Sequence, residues 1–256
     1  MVVADSRSSQ GTAVSSSSVL KIIPLSRSSL LTMAGGAADC FYLSDFLSRH
    51  IVPTPPLREL ALLLSSALYS RRTSDPNAGL SVGTMLSGFE RLPFYLASPT
   101  DDFYPPEPAP GCEPSHPGAG PLTTHLLPLV TYLDNSGRQE RVFSCCVGSG
   151  GDIASSILDV EVARLSRKHD EAAREAGRED ADFELRRRNV CVVATHEEAL
   201  DAALKAVSGA ARRDGYSGGI VQAYQIRSGR GKGKDEVKWR RVRVVDVGGG
   251  GVVNGA

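Results

Sequence analysis

The stretch Thr32-Met33-Ala34-Gly35-Gly36-Ala37-Ala38-Asp39-Cys40 constrains this chain more than any other. Five of its nine positions are Ala or Gly, and it lies between a strand-like run and a helix-like run. Small residues let a second backbone come close, because no side chain larger than a methyl stands in the way. Two uses fit. One is tight strand-to-helix packing. The other is a surface on which an extended peptide lies as an added strand, bonded to the main chain.

The flanking patterns predict a mixed chain. Val2-Val3-Ala4 reads as the last part of a strand, and Thr12 to Ile23 as two strands around a serine-rich turn, with Lys21 on the second. Leu30 to Met33 is a further short strand. Asp39 to Ile51 and Leu57 to Arg72 carry apolar residues at helical spacing, with Pro53, Pro55 and Pro56 separating them. Leu80 to Phe89 is a buried strand, and Leu129 to Leu133 returns through an Asp134-Asn135-Ser136-Gly137 turn to Arg141 to Val147. Ile153 to Arg164 begins a helix. Thr195 with Glu198 makes a capping box for another that runs to Arg213, followed by strands at Ile220 to Ile226 and Val237 to Val247.

Two stretches break this rhythm. Pro99 to Pro128 holds nine prolines and cannot build a helix or sheet, so it reads as an exposed loop. Arg164 to Arg188 has 15 charged residues of 25, of both signs, which reads as a solvated, salt-bridged helix or a disordered insert. The expected organisation is one domain over 1–256, with inserted loops at about 99–128 and 160–190 and a flexible tail at 248–256.

Several function classes recede. Lys plus Arg equal Asp plus Glu at 29 each, so no global field draws nucleic acid or anionic lipid. The basic Arg227 to Lys234 turn lacks aromatic stacking partners, so a nucleic-acid patch is not expected. The five cysteines show no C-x-x-C pair and no Cys/His spacing of a metal site. No apolar run approaches the roughly 20 residues of a membrane span, and no signal peptide is visible.

Read in order, Asp5-Ser6-Arg7, Lys21, TMAGGAADC, Gly148-Ser149-Gly150 and Asp214-Gly215-Tyr216-Ser217-Gly218-Gly219 closely resemble the proteasome beta subunits. Within that family the resemblance is to the chymotrypsin-like (type five) catalytic branch. It implies an α+β fold, a four-layer αββα sandwich of the N-terminal nucleophile hydrolase type. It also implies threonine-type endopeptidase chemistry without a cofactor. The partners implied are other alpha and beta subunits in stacked heptameric rings, with unfolded polypeptide as substrate, in cytoplasm and nucleus. Carried over residue by residue, Asp5, Lys21, Ser149, Asp214 and Ser217 form the catalytic surroundings, and the Gly35 N–H stabilises the oxyanion. Ser8, Ser9, Met33, Gly35 and Ala37 contact the peptide, with apolar residues accepted before the cut bond. Taken singly, each has a plainer reading: an ion pair for Asp5 and Lys21, a turn for Ser149 and Asp214, core for Met33.

One part of the pattern is absent. The family's nucleophilic Thr would precede Met1, together with the first strand. Gly11-Thr12 and Gly83-Thr84 resemble processing sites but lack Asp and Lys at the required spacing after them. Two expectations remain, a truncated reading of a longer chain, which is preferred, and an inactive structural subunit of the beta ring.

Overall fold

The structure, a computed structural model, describes residues 1–10, 13–50, 55–74, 79–93, 124–142, 144–175, 195–231 and 234–246. Most of the Pro-rich stretch, the charged stretch beyond Glu175, the tail, Gly11-Thr12, Cys112 and Cys191 therefore lie outside the described residues.

Fourteen elements are described. In chain order they are β1 (Val2–Ala4), β2 (Ser8–Gln10), β3 (Ala13–Ser16), β4 (Ile22–Pro24), β5 (Ser29–Gly35), α1 (Ala37–His50) and α2 (Leu57–Ser74). After these come β6 (Val82–Pro93), β7 (Thr124–Leu133), β8 (Gln139–Val142), α3 (Gly151–Glu175), α4 (His196–Ala211), β9 (Ile220–Gly231) and β10 (Lys234–Asp246). The protein is α+β. A five-stranded sheet has the order β4-β5-β6-β7-β8, a three-stranded sheet β1-β9-β10, and β2 pairs β3 as a hairpin. All the strand pairs are antiparallel.

β5 shows why its sequence is so apolar. Successive side chains of a strand point to opposite faces. Leu31 and Met33 join a cluster with Leu43 and Leu47 of α1 and Leu57, Leu60, Leu64 and Leu68 of α2. Leu30 turns the other way, to Val2, Ile22 and Tyr224, with Trp239 at the rim. Both faces of β5 are covered, so the alternation of a half-wet strand is missing. On the three-stranded sheet, Val221 and Ala223 pack beneath Leu200, Leu204 and Val207 of α4. Ala154 of α3 meets Ala206 and Ala210 of α4.

The structure shifts several expected boundaries. Lys21 lies just before β4 rather than inside a strand, and the hairpin of that region is β2–β3. β7 starts at Thr124, so residues 124–128 of the expected loop are strand. Pro128 is tolerated because, among the described residues, β8 pairs only with Val130 to Leu133, leaving β7 with a neighbour on one side at that point. The return after the turn is shorter than expected, Gln139–Val142, and Cys145 to Val147 is not strand. α3 continues to Glu175, so 160–175 of the expected insert are helix. Its charges are held locally and by α4: Glu161 binds Arg164 at 2.9 Å and Lys205 at 3.3 Å. The Thr195–Glu198 capping box forms in both directions.

Position on α2 decides what a truncation costs. Leu64→Ala, at a fully buried site, should lower stability by about 2–5 kcal/mol. Leu62→Ala, on the same helix but 55% exposed, should stay within about 0.5 kcal/mol. Urea midpoints of the two variants check this; equal losses would remove α2 from the core.

Candidate functional site

Four loops converge beside the carboxy-terminal end of β1. Asp5 follows that strand directly. Its Oδ1 accepts from Lys21 Nζ at 2.6 Å, and its Oδ2 accepts from the Gly218 backbone N–H at 2.7 Å. The two side chains are only 24% (Lys21) and 13% (Asp5) exposed. Removing one partner of so enclosed a pair leaves a poorly solvated charge, which typically costs about 3–5 kcal/mol.

A second carboxylate stands on the next loop. Asp214 Oδ2 accepts from Ser149 Oγ and from Ser217 Oγ, each at 2.6 Å. Asp214 Oδ1 accepts from the Tyr216 N–H at 3.2 Å, the turn that an Asp makes with its own backbone two residues on. Burial disfavours this charged carboxylate. The Ser149 and Ser217 hydroxyls, the Tyr216 N–H and the Lys21 charge outweigh that, and hold its pKa below the ordinary value. The Lys21 contribution ties the two carboxylate clusters into one electrostatic unit.

Arg7 and Ser6 secure the loop that carries Gly218. Arg7 Nη1 donates to Gly215 O at 3.2 Å, and the Gly218 N–H bond to Asp5 runs alongside. Gly218 has φ +141°, and a Cβ there would stand 2.6 Å from Arg7 Cζ, so only glycine fits. Ser6 is fully buried; its hydroxyl donates to Ser17 O and accepts from the Ile220 N–H. Sequence reasoning gave no role to Ser6, Arg7 or Gly218. Their adjacency to Asp5 and Ser217 was the available signal.

A cavity of about 310 Å³ opens between these groups and the helices. Asp5, Lys21, Ser149 and Ser217 line its polar part, while alanines of α4 and Met33, Ala34 and Val2 line the apolar part. Cys145 and Cys146 also border it. Burial first, then Cys146 and Glu140, push the Cys145 thiol up to about 11, and burial raises that of Cys146 as well. Both are protonated at neutral pH and therefore weak nucleophiles.

Of the residues singled out by sequence, the structure brings together Asp5, Lys21, Ser149, Asp214 and Ser217. Met33 borders the same cavity from β5. Gly35 ends that strand with φ +119°, and a Cβ on it would collide with the Ser81 carbonyl. Ser8 and Ser9 sit on the β2–β3 hairpin and Ala37 is exposed at the start of α1; none of the three is on the cavity wall. Among the described residues no group of three or more His, Cys, Asp or Glu could hold a metal ion. No described helix is long and apolar enough to cross a membrane.

Known proteins resemble this chain along most of its length. Residues 1–84 match the family described as proteasome subunit. The chain is 31% identical over 259 residues to proteasome subunit beta type-5 of Spinacia oleracea, across 97% of this chain and 66% of the relative. It is 29% identical over 256 residues to the beta type-5 subunit of Gallus gallus, across 97% and 71%. With beta type-5-A of Arabidopsis thaliana the identity is 31% over 237 residues, across 88% and 61%. The chain thus spans about two thirds of the length of the curated relatives it matches.

The Asp214 carboxylate gives a pH signature. Its folded pKa lies below the ordinary 3.8, so its stabilisation is in force above that value and is lost as pH falls through the lower folded one. Wild type should exceed Asp214→Asn in stability by a constant margin from neutral pH down to about 4, and the margin should shrink below that. Denaturant midpoints measured against pH check it; a margin that grows on acidification would contradict the hydrogen-bonded carboxylate.

Proposed function

This chain belongs to the proteasome subunit family, and from that premise we propose that it is a beta-ring subunit of a 20S core, of the type-five, chymotrypsin-like lineage. Its fold is then the four-layer αββα sandwich: α1 and α2 outside the five-stranded sheet, α3 and α4 outside the three-stranded one. The opposite burial of Leu30 and Leu31 supports this reading. In the ring it meets other alpha and beta subunits, in cytoplasm and nucleus, and unfolded polypeptide is the substrate.

The observation that carries the proposal is the joint placement of Lys21–Asp5 and Ser149–Asp214–Ser217 at one cavity. A lysine charge at that point favours the ionised form of a nearby hydroxyl and disfavours protonation of a nearby amine. Those are the two needs of a threonine whose own α-amine is its base. Asp5 fixes the ammonium by a charge-assisted hydrogen bond. The Ser149–Asp214–Ser217 group orients hydroxyls toward the same space, where amine and water would sit. Gly35 N–H, two residues beyond Met33, is the oxyanion donor, a role worth roughly 3 kcal/mol. Met33 supplies a deformable apolar wall, with Ala37 leaving room beside it and Ser8 and Ser9 reaching the peptide from the hairpin. The residues named here supply the surroundings of the reaction.

A tagged chain should co-purify with other core subunits as a large particle. Free, monomeric, well-folded protein would overturn the assignment. In particles that carry the type-five threonine, Lys21→Ala should lower cleavage after large apolar residues at least about 100-fold per assembled particle. Activity retained at the wild-type level would remove Lys21 from the chemistry.

A further inference from the structure

α4 and β9 run antiparallel, because the turn at 212–219 reverses the chain between them. The 16-residue helix rises about 24 Å at 1.5 Å per residue. Ile220 to Arg227 spans about 23 Å at 3.3 Å per residue. Arg227 therefore arrives at the amino-terminal turn of α4. Val221 and Ala223 lie beneath the helix, and the period of two puts Gln225 and Arg227 on that same face.

The register sets Arg240 of β10 opposite Gln225, and Arg240 Nε donates to Gln225 Oε1 at 3.3 Å. Gln225 is 2% exposed, yet its Nε2 has no hydrogen-bond partner among the described residues. A buried amide NH2 is normally satisfied, and two arginines share this face of the sheet. Arg227 and Arg240 have no acceptor lone pair. His196, the first residue of α4, is held below its ordinary pKa by burial, then by the charges of Arg227 and Arg240. These neighbouring charges are all positive.

Two acids stand on the same turn of α4. The Glu198 carboxylate is taken by Lys168 at 2.5 Å, His169 at 3.0 Å and the Thr195 N–H at 2.9 Å. Glu197 is exposed. The capping box uses the N–H groups of Thr195 and Glu198 and leaves those of His196 and Glu197, which lie at the positive end of the helix dipole.

We propose that the amino-terminal turn of α4, with Gln225, Arg227 and Arg240, is a binding site for a phosphate-class oxyanion. Two guanidinium forks match the oxygen spacing of such a group. The helix end contributes N–H donors, and the Gln225 amide gains the acceptor it lacks. The site is separate from the Asp5–Lys21 cavity and does not depend on the peptidase reading.

Equilibrium dialysis with radiolabelled inorganic phosphate tests it on the full chain, alone or in the complex with which it purifies, at ionic strength fixed with chloride. One saturable site per chain is expected. Arg227→Ala, which truncates an exposed side chain, should weaken it at least tenfold, as should Gln225→Leu. Arg49→Ala should leave it unchanged, since that guanidinium pairs with Asp45 on α1. No saturable binding, wild-type affinity in Arg227→Ala, or displacement by acetate or chloride as readily as by phosphate would overturn the proposal.

Discussion

The Asp5 carboxylate is the contact on which the rest of the structure depends. One oxygen holds Lys21 and the other holds the Gly218 N–H, so it joins the chain's first strand to segments 16 and 213 residues away. A carboxylate accepts through two oxygens at once, which lets one side chain hold two loops in fixed relation. Its enclosure makes the arrangement all-or-none: a charge that is largely out of water tolerates little loss of its partners. Strand β1 aims it. Val2 and Ala4 turn toward Tyr224 and Trp239, while Val3 turns toward α4. With both faces of the three-residue strand committed, its register against β9 is fixed, and Asp5 leaves the strand in one direction.

The same logic extends through α4. Its packing on Val221 and Ala223 fixes the distance between its two ends. One end delivers Asp214 to Ser149 and Ser217; the other delivers His196 to Arg227 and Arg240. A rigid helix on a rigid strand thus positions two polar clusters of opposite character. The alanines at Ala202, Ala206 and Ala210 let α3 come close on the far side, and α3 is lengthened by ion pairs to Glu198 and Glu161 that are individually weak at exposed sites.

Much of this was legible in the residues. The capping box at Thr195 and Glu198 needs only local geometry, and it forms as the spacing predicts. Helices α1 and α2 follow from apolar periodicity and from the prolines between them. Of the residues the resemblance singled out, Asp5, Lys21, Met33, Ser149 and Ser217 border one cavity. Less legible were elements whose bounds depend on a neighbour. Residues 124–128 look like the end of a proline-rich loop, yet β6 offers them a pairing edge. Residues 160–175 look like solvated charge, yet α4 supplies Glu198 and Lys205 as partners.

Sequence by itself therefore determined the local matters: which segments are helical, and where caps and turns fall. Those depend on contacts within a few residues, where chain geometry leaves few choices. Tertiary structure decided that Asp5 serves Gly218 as well as Lys21, that Arg7 backs that loop, and that Gln225 is buried with its Oε1 on Arg240. Each of these joins positions far apart in the chain. Only the packing of sheet on sheet and helix on sheet sets such distances, because hydrogen bonds act over about 3 Å.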